Sequence, residues 1–248
     1  MLAKARVLPA DTIVVDLEDG VATADKESAR ANLPEAGARR TLAVRVNGVG
    51  TRWWRDDLAA AARADVIVVP KVESVEEVAA VAELLPEGVG LEVQIETARG
   101  LVAVEQIAAF GPPLEALVFG PGDFAASLGV PVLTIGSGAS EYALARIVVA
   151  ARAFGLQAVD GPYAALHDRE GLQAAAERAL ALGCDGKWVI HPDQIEPVND
   201  VFTPGIAELD RARRILAAGD GASAVEGNMV DAATKRLAEQ LVARASAP

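Results

Sequence analysis

Leu91-Glu92-Val93-Gln94-Ile95-Glu96, followed after an intervening helical stretch by Leu117-Val118-Phe119-Gly120-Pro121-Gly122-Asp123, decides how the chain is read. Apolar and polar side chains alternate at period two in the first run, so Leu91, Val93 and Ile95 share one strand face and Glu92, Gln94 and Glu96 the other. If the apolar face packs on helices, the polar face lines an enclosed lumen with Glu96 at its mouth. Asp123 stands at the end of the next strand. Two carboxylates from neighbouring strand ends, with glycine-rich backbone between them, suit a hard divalent cation such as Mg2+, which takes oxygen ligands and leaves positions open to substrate oxygens.

Outward from this pair, β-rich runs alternate with helical patterns. The strands predicted are Thr12–Asp16, Leu42–Arg45, Val66–Val69, Leu91–Glu96, Ala116–Gly120, Gln157–Asp160 and Lys187–Ile190. Between them the 3.6-residue period predicts helices over Ala22–Leu33, Trp53–Arg63, Val75–Leu84, Leu101–Ala109, Ser140–Phe154 and Glu170–Leu182. Ser74 with Glu77 forms a capping box and Asp168 an N-cap. Strict alternation predicts an α/β fold with a parallel sheet and right-handed crossovers. Asp16, Arg45, Lys71, Glu96, Asp123, Asp160 and His191 fall at or just beyond the strand ends, 25 to 37 residues apart. Seven polar strand ends favour a (β/α) barrel, whose carboxyl ends converge on one mouth. An open doubly wound sheet gathers ligands only at its switch point. A barrel wants eight strands, and one period back from Asp16 lands before Met1, so the expectation is a TIM-type barrel lacking its first strand through a misplaced start or truncation.

The chain has 248 residues, 52% of them hydrophobic and 23% charged, enough for one barrel. A net charge of −12 argues against nucleic acid as a partner. No apolar run approaches a membrane span and no leader pattern opens the chain, so a cytoplasmic protein is expected. Cys184, the only cysteine, is expected to be structural. The three tryptophans are too scattered for a base-stacking platform and are read as packing.

After His191-Pro192 the repeating pattern stops. Barrel residues 1–202 are expected to give way to a helical extension, 203–248. In it Thr203-Pro204 starts a helix to about Ala217, Gly219–Ser223 is a linker, and a last helix runs from about Met229 to Ala245.

VVDLEDGVATADKESAR, VRVNG, VPKVES, QIETARGL, FGPGDFAASLG, DGKWVIHPDQI and GNMVD together resemble the HpcH/HpaI aldolase and citrate lyase β-subunit superfamily, in its CoA-ester lyase branch, from residue 14 to 231. The resemblance implies a TIM barrel, Mg2+, and cleavage of a 3-hydroxyacyl-CoA of citramalyl-CoA or malyl-CoA type to acetyl-CoA and a 2-oxo acid. It makes Glu96 and Asp123 the metal ligands, Glu96 also touching substrate. Arg45 becomes the guanidinium that forks onto a substrate carboxylate or developing enolate oxygen. Asp231, by local spacing a helix cap, resembles a catalytic carboxylate supplied by a neighbouring subunit, which implies a homotrimer or hexamer. Lys4 falls where the family places a basic residue for the CoA phosphates. Asp16, Glu18, Asp19 and Lys26 are expected to orient Arg45 and support the site, and His191 to frame a turn. Alternatives are a citrate lyase β subunit acting on a citryl-carrier protein, a metal-dependent aldolase on free hydroxy-oxo acids, and a non-catalytic truncated homologue.

Overall fold

The computed structural model describes residues 7–34, 40–130, 138–218 and 223–246. The chain divides into two compact units, Met1–Val198 and Asn199–Pro248. In the first, seven parallel strands pair in sequence order. They are β1 (Thr12–Asp16), β2 (Thr41–Arg45), β3 (Val66–Val69), β4 (Gly90–Ile95), β5 (Leu114–Phe119), β6 (Gln157–Asp160) and β7 (Gly186–Lys187). Helices α1 (Lys26–Ala31), α2 (Trp54–Ala60), α3 (Val75–Ala82), α4 (Ala98–Val102), α5 (Val104–Ala108), α6 (Pro121–Ser127), α7 (Gly138–Ala153) and α8 (Arg169–Leu182) connect them, and α9 (Ile195–Phe202) follows β7.

Register sorts the side chains onto two faces. Asp16 stands beside Arg45, Arg45 beside Val68, and Val68 beside Glu92. Successive residues alternate faces, so Val14, Asp16, Ala43, Arg45, Val66, Val68, Glu92 and Gln94 line the lumen. Ile67, Leu91, Val93, Ile95 and Leu117 occupy the other face and are almost wholly buried, which places the main core between sheet and helices. The sheet curls. Trp188, just past the last strand, packs with Val14, Ala43, Val66 and Val68 from the first three. Among the described residues β1 and β7 do not pair with each other, and all five residues of β1 are only half-buried, as an edge strand's are. The expected α/β fold, a TIM-type barrel lacking its first strand, is thus found as a curled sheet of seven parallel strands that does not close among the described residues.

Local chemistry explains the caps and the differences. Ser74 accepts the Glu77 N–H at 3.4 Å, but the Glu77 carboxylate returns to Glu73 N–H, at 2.7 Å, one residue before the cap. Asp168 accepts the Gly171 N–H at 2.9 Å. The single helix expected over Leu101–Ala109 is two, because Thr97 caps a start at Ala98 and the chain breaks at Ala103. The last strand is shorter than Lys187–Ile190, since the Gln194 side chain takes the Ile190 N–H at 2.9 Å and His191 caps the following turn.

The second unit departs furthest from expectation. Helix α10 (Ile206–Ala217) starts where the Glu208 carboxylate accepts the Gly205 N–H at 2.9 Å, not at Thr203-Pro204. Met229 lies in an antiparallel hairpin, β8 (Ser223–Val225) with β9 (Asn228–Val230), and not in a helix. Glu226 and Gly227, both left-handed at φ 52° and 78°, make its two-residue turn. Asp231 then opens α11 (Ala232–Ser246). Ala212, Ile215, Val230 and Ala238 form this unit's own core. Among the described residues no helix is long and apolar enough to cross a membrane.

Candidate active site

Glu96 follows β4 and Asp123 lies in the first turn of α6, so strand ends β4 and β5 present both carboxylates. Glu96 is 2% exposed. A carboxylate that deep needs a gap in the neighbouring backbone, and Gly120 supplies it: a Cβ there would lie 2.0 Å from Glu96 Oε2. Lys71 joins the two acids. Its backbone N–H donates to Glu96 Oε1 at 2.8 Å, and its Nζ lies 3.4 Å from Asp123 Oδ2. The Lys71 ammonium also pairs with Glu18 Oε1 and, at 3.1 Å, with Asp19 Oδ2.

Arg45 projects from β2 into the same space. Its Nε and Nη2 form a two-point fork on Asp16 at 2.8 and 2.6 Å, and Nη1 reaches Glu18 Oε2 at 3.2 Å and Gln94 Oε1 at 3.4 Å. The Trp188 ring lies 5.9 Å from the guanidinium carbon. Glu18 thus bridges both cations of the site. The loop carrying it is held by Lys26, whose buried Nζ donates to the carbonyls of Leu17 and Glu18, both at 2.8 Å, and to Asn47 Oδ1 at 2.7 Å. Asp16 and Glu18 orient Arg45 directly; Lys26 acts on the loop, and Asp19 sits on Lys71.

The electrostatics are uneven. Burial pushes Asp16 up, but Arg45 and the N–H groups of Glu18 and Gly20 outweigh it and hold its carboxyl below the ordinary range. Burial likewise opposes the charge on Lys71, yet Glu18 and Asp19 raise its pKa. Glu96 goes the other way: burial and the charge of Asp123 push it up to about 7 despite Lys71. Among the described residues five carboxylates (Asp16, Glu18, Asp19, Glu96 and Asp123) face two cations, leaving Glu96 short of positive charge. That deficit, in a pair of hard oxygen donors, fits a divalent cation. Among the described residues no three His, Cys, Asp or Glu side chains are arranged to hold an ion, so an ion held by Glu96 and Asp123 would take its remaining ligands from water or substrate.

Other expected residues go elsewhere. Asp160 faces the helices, not the mouth, because it shares its face with Ala158 and hence Leu117; its carboxylate pairs with Lys187 Nζ at 2.5 Å. His191 Nδ1 accepts the Asp193 N–H at 3.2 Å, a turn-framing bond. The Cys184 thiol is buried and pushed up to about 12 by that burial and by Asp160 and Asp185, which makes it inert. Asp231 caps α11, with Oδ1 accepting the Thr234 N–H at 2.9 Å. Lys4 lies outside the described residues. The central place of Lys71 was not anticipated. Its Pro-Lys-Val context reads as a strand end, and the left-handed backbone, φ 55°, that turns its N–H onto Glu96 has no residue-type signature.

The model of the HpcH/HpaI aldolase/citrate lyase family matches residues 1–192. The chain belongs to this family. A second family model, a carbon–carbon bond lyase of the TIM-barrel fold, matches residues 138–247 of the same member. Among its relatives is the L-malyl-CoA/β-methylmalyl-CoA lyase of Cereibacter sphaeroides, 38% identical over 99% of this chain and 90% of the relative. A (3S)-malyl-CoA thioesterase from that organism is 42% identical, again over 99% of this chain and 90% of its own. CitE from Mycobacterium tuberculosis, crystallised with magnesium, acetoacetate and coenzyme A, superposes with a TM-score of 0.86 at 37% identity, covering 99% of this chain and 93% of that one. The expected superfamily, its CoA-ester branch, the barrel and the lyase class are all borne out.

Proposed function

We propose that this family member is a Mg2+-dependent lyase that cleaves a 3-hydroxyacyl-CoA of malyl-CoA or citramalyl-CoA type to acetyl-CoA and a 2-oxo acid. The observation that carries it is the joining of Glu96 and Asp123 through Lys71 beside an Arg45 guanidinium fixed by Asp16 and Glu18. Glu96 and Asp123 would hold the ion, which when bound supplies a Lewis acid for the substrate's hydroxyl and carboxylate oxygens. The hydroxyl must lose a proton as the carbon–carbon bond breaks, and the departing carbon becomes a thioester enolate. Arg45, its orientation set by the fork on Asp16, would stabilise the negative charge developing on oxygen, a contribution of about 3 kcal/mol for one such donor. Trp188 and the apolar lumen beneath keep that charge out of bulk water. The Asp231 carboxylate of a neighbouring subunit takes up the proton the hydroxyl loses and delivers it to the enolate carbon, so residues 203–248 serve another copy's site and the working form is a homotrimer or hexamer. Lys4 meets the CoA phosphates.

The test is to offer malyl-CoA, citramalyl-CoA and citrate with Mg2+ and identify the products. Acetyl-CoA and a 2-oxo acid in equal amounts from one of the thioesters are expected; no acetyl-CoA from either contradicts the reading. A second reading is hydrolysis of the same ester, favoured by the thioesterase relative's higher identity and by an alignment of 260 residues against 287 for the lyase. It gives free CoA and the hydroxy acid without an oxo acid.

A further inference from the structure

Lys71 combines two features, one of backbone and one of side chain. It is one of two described non-glycine residues with positive φ, and its two donors reach the two carboxylates assigned to the ion. The neighbouring backbone holds it there. Val72 N–H donates to Gln94 O at 3.3 Å, and α4 presses so closely on Val72 O that a Cβ on Gly100 would lie 2.4 Å from it. A side chain launched from such a turn has little choice of direction. Its ammonium meets Glu18, Asp19 and Asp123 together, three of the site's five acids. Of the three, only Asp123 is also a ligand candidate, and it is the longest contact. The Glu18 and Asp19 oxygens offer the ammonium a place to remain if it leaves Asp123.

We infer that the Lys71 side chain is an internal counter-ion of the cation site, holding Asp123 with Glu18 and Asp19 while no divalent ion is bound and yielding Asp123 to the ion when it arrives. This rests on the reading of Glu96 and Asp123 as the ligand pair. Lys71 is thus a positioning residue: its backbone N–H donates to Oε1 of Glu96, while its charge keeps Glu18, Asp19 and Asp123 assembled. The same charge must lower affinity for a second cation at Asp123.

The experiment is calorimetric titration of the full chain with MnCl2, paired with thermal unfolding in EDTA and in saturating MgCl2. Lys71→Met and Lys71→Gln should each bind Mn2+ about tenfold more tightly than the native chain, since a repelling unit charge has been removed at contact distance. Lys71→Arg, which keeps the charge, should stay within about threefold of native. In EDTA, Lys71→Met and Lys71→Gln should melt below the native chain, and saturating Mg2+ should close that gap. Unchanged or weaker Mn2+ binding by both neutral variants, with the native chain still taking up one equivalent, overturns the inference and leaves the ligand pair standing. A native chain that takes up no Mn2+ overturns the ligand pair, and this inference with it.

Discussion

Glu92 and Glu96 share the lumen face of β4, and both carboxyls are pushed up to about 7, Glu92 by burial and by the nearby Glu115. A carboxyl whose pKa is higher folded than unfolded contributes stability that is fully present below its unfolded value and lost as pH rises through the folded one. The metal-free protein should therefore lose stability between about pH 4.5 and pH 7 on account of Glu92. Glu92→Gln removes that loss. The variant should melt above the native chain at pH 8, by up to about 3 kcal/mol, and match it at pH 4, a difference that melting curves at the two pH values would show. Arg45→Lys tests a different residue. A lysine cannot fork onto Asp16, so kcat should fall roughly a hundredfold with the melting temperature little changed. The alternation of β4 and the Gly-Pro-Gly before Asp123 made Glu96 and Asp123 legible as a pair in the sequence. The need for glycine at 120 was not, because it depends on where the Glu96 carboxylate lands in space. Gly120→Ala should displace that carboxylate and cost both activity and Mg2+ affinity.

At the scale of elements, strand–helix alternation carried the barrel. Most predicted boundaries fell within a few residues of those found, because the apolar periods are strong and the caps at Ser74 and Asp168 are side-chain chemistry visible in the sequence. What failed were strand ends and turns decided by tertiary partners. The β6 end is one case. Asp160 looked like a mouth residue, but the parity of its strand turns it outward to a buried Lys187. Lys187→Met should leave an unpaired buried carboxylate and destabilise the fold by about 3 to 5 kcal/mol, with Mn2+ affinity unchanged in the protein that remains folded; denaturant titration and calorimetry would check both. The hairpin around Glu226-Gly227 is the other case. Its glycine and the alternating residues on either side were the available signal, overridden by the helical pattern downstream. Gly227→Val should destabilise the second unit by about 1 to 3 kcal/mol, measured as earlier melting, since φ is 78° there.

For the whole molecule, the proposed mechanism uses Glu96 and Asp231 in one reaction but on different copies of the chain. Mixing two inactive variants tests this. Glu96→Ala and Asp231→Ala proteins, unfolded and refolded together, should regain activity that neither shows alone, because some mixed assemblies hold one intact composite site. No recovery would place the two residues on the same copy or remove Asp231 from the chemistry. The family resemblance alone suggests this sharing; local spacing around Asp231 reads only as a helix cap, because the sharing depends on contacts between copies. Everything at this scale rests on Glu96 and Asp123 gripping one ion. Titrating the native chain, Glu96→Ala and Asp123→Ala with MnCl2 measures that most directly. One equivalent bound per native chain, and none by either variant at the same concentrations with circular dichroism unchanged, is the result expected. Native-like Mn2+ uptake by either variant would contradict the account.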